Sequence, residues 1–454
     1  MNIFEEEIEN IVELLNNKEY QKTKSILSEM NAFDVALLIS EAPRERISVI
    51  FRLLPKELAA EVFVELDSDL QEELITDFSD SELSGILAEM YVDDTVELID
   101  EMPASLIKRI LLRTDPETRE QINQILKYPK DTVGSIMNPE FVRLYENMSV
   151  EQAFEKIRRV GTDKETIYTC YVTDMQKRLI GVVTVRRLLL AQADDPITDI
   201  MERNVIFAYT SETREDVAIK IKDYSLTALP IVDTEERIVG IVTIDDAIEV
   251  MNEETEDDFS KMAAITPNDE SYLKTSVFKL WKARIPWLLL LMFSSTFTSS
   301  IITNYESVLA TSGLVVLTAF IPMIMGTAGN AGGQSSVTVI RALSLEDISF
   351  SDFFKVFWKE ARVAVLCSIP LSVACFAKII FIDLEPYEWK IALVVCITMV
   401  ITVCIAKMVG FALPIFAKTI KLDPAVMASP FITTIVDSIS LLVYFAIAKA
   451  LIGF

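Results

Sequence analysis

The sequence predicts a multidomain fold: an all-α superhelical N-terminal domain, two tandem α/β units, an acidic connecting helix and a five-helix α transmembrane domain. Three observations lead there. Residues 1–270 hold 58 acids and 28 bases, whereas residues 271–454 hold 10 acids and 14 bases. Apolar runs long enough to cross a bilayer, about 20 residues in a helix, cluster in the second part. One pattern is written twice over residues 131–252. The predicted boundaries are 1–130, 131–195, 196–252, 253–283 and 284–454.

Residues 1–130 carry short apolar stretches about every twelve residues: VALLI, ISVIFRLL, LAAEVFVEL, LQEELITDF, LSGILAEM and TVELIDEM. Pro55, Asp67, Ser79 and Ser81 stand where helices would start. The reading is a superhelical series of short hairpins. Residues 57–101 contain sixteen acids and no base. Such a run is either a solvated face or a surface that divalent cations neutralise.

In the repeat, VGSIM (133–137) returns as ITDIM (197–201), and CYVTDMQKRLIGVVTVRRLLLA (170–191) returns as LPIVDTEERIVGIVTIDDAIEV (229–250). Each copy reads strand, turn, strand, helix, preceded by an amphipathic helix at 149–160 or 211–224. This strand–DxxxRxxGxVT–strand–helix pattern resembles the cystathionine-β-synthase (CBS) domain. The resemblance implies two copies packed as one pseudo-symmetric module. Such pairs bind adenosine nucleotides such as ATP, metals, or nothing. In TVRRLLL, Arg187 stands where the family commonly has an aspartate, but Arg186 and Arg187 together suit a phosphate. Arg186 is the candidate nucleotide contact.

If residues 244–264 form one helix, Asp246, Glu249, Glu253 and Glu256 line one face at spacings of three, four and three. Asp257 and Asp258 extend the acidic surface. The row is either a solvated face or one side of a shared divalent-cation site.

Runs at 285–305, 307–340, 363–382, 391–417 and 425–454 give five spans. Lys274, Lys279, Lys282 and Arg284 precede the first. Arg341, Lys355, Lys359 and Arg362 lie between the second and third, and Lys418 and Lys421 between the fourth and fifth. The positive-inside rule then places the acidic N-terminal part in the cytosol and the C-terminus outside. The protein is expected in the plasma (inner) membrane as a multi-pass chain. Its start, MNIFEEEIEN, lacks the form of a signal peptide.

Three membrane features stand out. PMIMGTAGNAGGQ (322–334) interrupts an apolar run, which predicts a broken helix lining a watery cavity. Close packing through small residues is the alternative. Asp437 lies deep in the fifth span, where an acid costs roughly 2.5–3.5 kcal/mol; it should face a pore, a partner or a cation. Lys407 lies at a similar depth and is expected to snorkel or point outward rather than pair with Asp437.

Composition excludes much. The chain has no histidine, which removes histidine zinc sites and histidine-dependent triads. Its net charge of −26 argues against nucleic acid as a partner. Five cysteines without a CxxC suggest no disulfide framework, and no GxxxxGK[ST] is present.

Together these residues resemble the MgtE family of magnesium channels over essentially the whole chain. MGTAGNAGGQS (325–335) and LDPAVMASPFITTIVD (422–437) carry most of the specificity. The resemblance implies a homodimer with a pore between the membrane halves. It makes Asp437 the pore carboxylate, with Gly326, Gly329 and Asn330 near it and Asp423 toward the cytosolic mouth. It makes magnesium both the transported and the regulatory ion, so that Mg2+ and the lipid bilayer are partners and no enzyme activity is expected. Cytosolic magnesium would bridge the N-domain (Asp93, Asp94), the CBS pair and the connecting helix (Asp246, Glu249, Glu253, Glu256, Asp257), and hold the pore closed.

Elementary chemistry agrees. Magnesium prefers octahedral oxygen ligands and sheds water reluctantly, and the site lacks the nitrogen and sulfur ligands that favour softer metals. Moving its two charges inward gains roughly 4.6 kcal/mol at 100 mV. Two alternatives remain: a CBS-regulated transporter of manganese or cobalt, and a non-conducting magnesium or nucleotide sensor.

Overall fold

A computed structural model describes residues 2–268, 272, 275–311, 314–345, 347–382, 389–427 and 429–453. Lys274, one of the bases expected before the first span, lies outside the described residues. The chain forms two compact units, Met1–Met251 and Asn252–Phe454.

The first unit begins with ten helices: α1 (Asn2–Asn16), α2 (Tyr20–Leu27), α3 (Ala32–Glu41), α4 (Arg44–Phe51), α5 (Lys56–Val64), α6 (Ser68–Asp77), α7 (Asp80–Leu87), α8 (Val92–Glu101), α9 (Ala104–Arg113) and α10 (Pro116–Ile125). Of the four predicted starts, Pro55, Asp67 and Ser79 stand at N-cap positions, while Ser81 lies inside α7. Ser79 and Glu82 form a reciprocal capping box at α7, and Asp115, not among the predicted starts, accepts from the Glu117 and Thr118 amides at α10. Each helix is too short to be stable alone. Stacking compensates, because Phe51, Phe63 and Phe78 from successive hairpins meet at ring-centroid distances of 5.3–6.3 Å.

The repeat gives two sheets of one topology. In the first, β1 (Phe141–Tyr145) runs parallel to β2 (Thr166–Thr173), which is antiparallel to β3 (Leu179–Thr184). Helices α11 (Val150–Val160) and α12 (Val185–Leu190) accompany them, and α13 (Ile197–Ile200) opens the second copy. There β4 (Ala208–Tyr209), β5 (Ala228–Val232) and β6 (Ile238–Thr243) pair the same way, with α14 (Arg214–Tyr224) between β4 and β5.

The copies interlock through the residues that mark the repeat. Asn138 exchanges backbone hydrogen bonds with Ile241 at 2.7 and 2.8 Å, and Glu202 exchanges them with Val182 at 2.8 and 2.9 Å. A methyl on Gly240 would sit 2.9 Å from Met137 Cγ, and one on Gly181 would sit 2.6 Å from Met201 Sδ. The glycine of each GxVT motif is thus the seat for the methionine that opens the other copy.

The expected connecting helix is present as α15 (Ile244–Met262). Five helices are long and apolar enough to cross a membrane among the described residues: α16 (Val277–Thr311), α17 (Ile321–Ser344), α18 (Phe353–Phe381), α19 (Trp389–Thr419) and α20 (Ser429–Ile452).

The predicted break in the second span is not found where expected. The MGTAGNAGGQ segment is uninterrupted α-helix, and the irregularity lies upstream, in a 3-10 turn at Val315–Phe320. In a bilayer each unpaired backbone group is costly, and that outweighs the low helix propensity of four glycines. The glycines serve helix approach instead. A methyl on Gly410 of α19 would drive into the Gly332 carbonyl of α17, and one on Gly332 would lie 3.0 Å from Ile432 Cγ2 of α20. The third span also starts earlier than the sequence suggested, at Phe353, and carries Glu360 inside it as a buried side chain.

Candidate ion pathway and regulatory carboxylates

Asp437 sits eight residues into α20, about 12 Å at the standard rise. It lines a cavity of about 320 Å³ with Ser295, Thr298, Ser299 and Thr303 of α16, Met325 of α17 and Thr434 of α20. Ile302 completes the wall. Five hydroxyls thus share the space with one carboxylate. All the polar donors are hard oxygens, the set that suits magnesium rather than softer metals. Thr298 and Ser438 hydroxyls meet at 3.1 Å and tie α16 to α20 beside it.

Gly329 brings α17 against this acid: a methyl there would stand 3.0 Å from Thr433 Cγ2 and 3.8 Å from Asp437 Oδ1. Gly326 and Asn330 do not join them. They lie with Gln334 one turn apart along the exposed side of α17, facing away from the helices of their own chain. Lys407 also departs from expectation. It is 4% exposed, buried in the helix bundle rather than snorkelling, and no ion pair within 4 Å joins it to Asp437 among the described residues. Close α17–α19 packing explains the burial.

At the end of α15, Lys261 Nζ lies 3.0 Å from Asp423 Oδ2 and 3.5 Å from Asp257 Oδ2. Ser344 Oγ donates to Asp258 Oδ2 at 3.2 Å, and Met262 packs on Ile340 and Ala425. Lys418 Nζ donates to the Leu343 carbonyl at 2.9 Å, satisfying an otherwise open helix end. Asp423 therefore has a partner in the chain itself, an ammonium that sequence spacing did not reveal.

The regulatory candidates fall into two groups. Asp93 and Asp94 occupy the first turn of α8, where the helix dipole favours negative charge. They face Asp246, which accepts from Thr243 N at 3.0 Å and Thr243 Oγ1 at 2.5 Å at the start of α15. Three further residues complete the cluster. Glu140 accepts from Val92 N at 3.1 Å, closing the α8 N-terminus across 48 residues of sequence. Asn138 Nδ2 donates at 3.0 Å to Asp93 Oδ1 and at 3.0 Å to Glu165 Oε2. Glu249, Glu253 and Glu256 run on along the exposed side of α15.

The electrostatics are those of crowded acids. Burial, then Asp94 and Asp246, push the Asp93 carboxyl well above its ordinary range. Burial, then Asp246, raises Asp94. Burial, then Asp94 and Asp246, pushes Glu165 up to about 8. Burial likewise raises Asp246 and Glu140, with Lys164 offsetting part of it at Glu140. Among the described residues no three such groups converge as a ready metal cage. The arrangement is a set of oxygen donors held apart by hydrogen bonds, short of positive charge.

Arg186 is exposed on α12. Its neighbour Arg187 is committed instead to Glu202 at 3.0 Å and to the Ile200 carbonyl at 3.3 Å, so only the first of the predicted arginines keeps its guanidinium out of that bridge.

Comparison with known proteins bears on this architecture. The pattern described as "divalent cation transporter" matches residues 321–447, the MgtE intracellular N domain matches 30–131, and the CBS domain matches 133–194 and 197–253. The magnesium transporter MgtE of Thermus thermophilus is 34% identical over 98% of this chain and 98% of its own. The chain belongs to the MgtE family of magnesium transporters. The Bacillus subtilis magnesium transporter MgtE is 29% identical over 99% of this chain and 98% of its own. A crystal structure of the cytosolic domain of the magnesium channel MgtE in complex with ATP superposes at a TM-score of 0.52 with 34% identity, covering 54% of this chain and 99% of that one. These MgtE relatives are transporters, not enzymes, and this chain is a CBS-regulated member of that transporter family with a multi-pass membrane part.

Proposed function

We propose that this chain imports Mg2+ down its electrochemical gradient through a pathway that passes Asp437, and that cytosolic Mg2+ closes it. The observation that carries the proposal is the Asp437 cavity. Six waters at about 30 Å³ each occupy on the order of 180 Å³, so a hydrated ion fits about 320 Å³. There the carboxylate and hydroxyls need only touch its water shell. Direct coordination would demand dehydration, which magnesium resists.

The pathway is shared by two copies in this reading. The exposed side of α17 carries Gly326, Asn330 and Gln334, a polar stripe too costly to leave against lipid. A second copy covers it. The bases flanking the spans put the N-terminal unit in the cytosol and the C-terminus outside.

Closure follows from charge. Without divalent cations, Asp93, Asp94, Glu165 and Asp246 repel. With them, the repulsion ends and the helical domain, CBS pair and α15 draw together. Asp423 and the acids of α15 act at the mouth. Arg186 is the proposed contact for a nucleotide phosphate such as that of ATP.

Flux into liposomes, with Mg2+, Mn2+ or Ca2+ supplied and with or without Mg2+ on the cytosolic face, tests this. Expected are Mg2+ entry, suppression by cytosolic Mg2+, and loss of entry in Asp437→Ala. Faster Mn2+ than Mg2+ entry would assign a different cargo. No flux of any cation would leave a sensor.

A further inference from the structure

The spans hold a second carboxylate that the pathway does not use. Glu360 of α18 is 9% exposed, and its Oε2 accepts a hydrogen bond from Ser335 Oγ of α17 at 2.8 Å. Ser335 is 2% exposed, and its Oγ also lies 3.2 Å from the Lys407 carbonyl of α19. One hydroxyl carries one proton, and the shorter contact is to the carboxylate. Three helices therefore converge on a single side chain of α17.

The location matters. Ser335 follows the GTAGNAGGQ segment immediately. At about 100° per residue it lies roughly 140° around the helix from Asn330 and 180° from Gly326. It is on the back of the helix whose other side bears the polar stripe. Below it, Gly332 and Gly410 let the α17 and α19 backbones approach until a methyl on Gly410 would strike the Gly332 carbonyl. Glycine surfaces are smooth, so they set distance but resist rotation poorly. Nor does lipid supply a restoring force, because apolar helix surfaces gain nothing from facing each other rather than the acyl chains. Rotation is set by specific contacts. Among those recorded for α17, the Ser335–Glu360 bond is a buried side-chain bond to α18 at 2.8 Å, an ordinary hydroxyl hydrogen-bond length.

We infer that Glu360 is a positioning residue: by holding Ser335 it fixes the rotation of α17 and so the direction in which Gly326, Asn330 and Gln334 are presented to a passing cation. The part concerning cations rests on the proposed pathway. The rotational part does not.

Two readouts on the full-length chain separate these. The first is labelling of Asn330→Cys by a charged maleimide, with the native cysteines replaced. Glu360→Leu and Ser335→Ala are each expected to change its rate at least fivefold, and Glu360→Gln, which keeps an oxygen acceptor, less than twofold. The second is liposome flux. The same two substitutions are expected to lower the Mg2+-to-Ca2+ flux ratio about tenfold and to raise the half-saturating Mg2+ concentration, with no further change in the double variant. A merely structural role would reduce the active fraction and leave the ratio, the half-saturation and the labelling rate unchanged; that result overturns the inference. So does a Glu360→Gln chain as impaired as Glu360→Leu. Changed labelling with no transport by the parent chain would support the rotational role while sinking the pathway, and Ser335→Ala gives the answer if Glu360→Leu does not fold.

Discussion

Removing one charge from the carboxylate cluster should stabilise the cytosolic unit in the absence of magnesium. Asn138 Nδ2 is 3.0 Å from both Asp93 Oδ1 and Glu165 Oε2, so these acids are no more than about 6 Å apart. Two full charges at about 6 Å would repel by about 3 kcal/mol at an effective dielectric of 20. The raised Glu165 carboxyl carries only about half its charge at pH 8 and is partly exposed, which brings the repulsion to at most about 1.5 kcal/mol. For a unit of this size the melting temperature of Glu165→Gln should therefore rise by about 3–6 °C at pH 8. The pH dependence has a definite sign. Glu165 is pushed from 4.5 up to about 8 in the folded chain. Between those values the folded state keeps a proton that the unfolded chain has lost, so stability is greatest at the acid end and falls as pH rises toward 8. Magnesium should accordingly stabilise more at pH 8 than at pH 6. The assay is thermal melting of the segment ending at Met262, in chelator or in millimolar Mg2+, at half-unit pH steps. A melting temperature that is flat or rises between pH 5 and 8 in chelator, together with an unchanged Glu165→Gln, would refute the electrostatic account.

Other outcomes follow from single contacts. Gly410→Ala should overpack the α17–α19 crossing and cost about 1–3 kcal/mol, seen as earlier loss of monodisperse protein on heating in detergent. Lys261→Gln removes the ammonium from Asp423; a half-buried pair near the surface contributes about 0.4–1 kcal/mol, so the cytosolic Mg2+ that half-inhibits flux should rise about two- to fivefold. Arg186→Ala should weaken ATP binding to the cytosolic unit about tenfold in calorimetry, as expected for one charge-assisted phosphate contact of about 1.4 kcal/mol.

Much of the architecture was legible because its signals are local. Apolar spacing marked the hairpins, repeated pentapeptides marked the CBS pair, and span-length apolar runs marked the membrane part. Asp437 stood out because an acid at such depth is costly. Asp93, Asp94 and Asp246 came from family resemblance and helical spacing, and the structure does gather them. Their companions Asn138, Glu140 and Glu165 were not legible. Asn138 reaches Asp93 across 45 residues, and only the fold supplies that proximity. Lys261 beside Asp423, 162 residues on, is hidden for the same reason. The membrane errors have another origin. Glycines read locally as a break, but the demand for paired backbone groups prevails in lipid, and Lys407 and Glu360 are buried because neighbouring helices close over them. Gly326 and Asn330 lie away from Asp437 within one protomer.

The reciprocal seating of Met137 on Gly240 and Met201 on Gly181 makes the two CBS copies a lock whose keys are exchanged. Neither half contains its own closing piece, so a chain cut near residue 195 would leave each fragment with an empty keyhole and a loose key. Such a pair should melt as one body, since opening either copy unseats a methionine of the other.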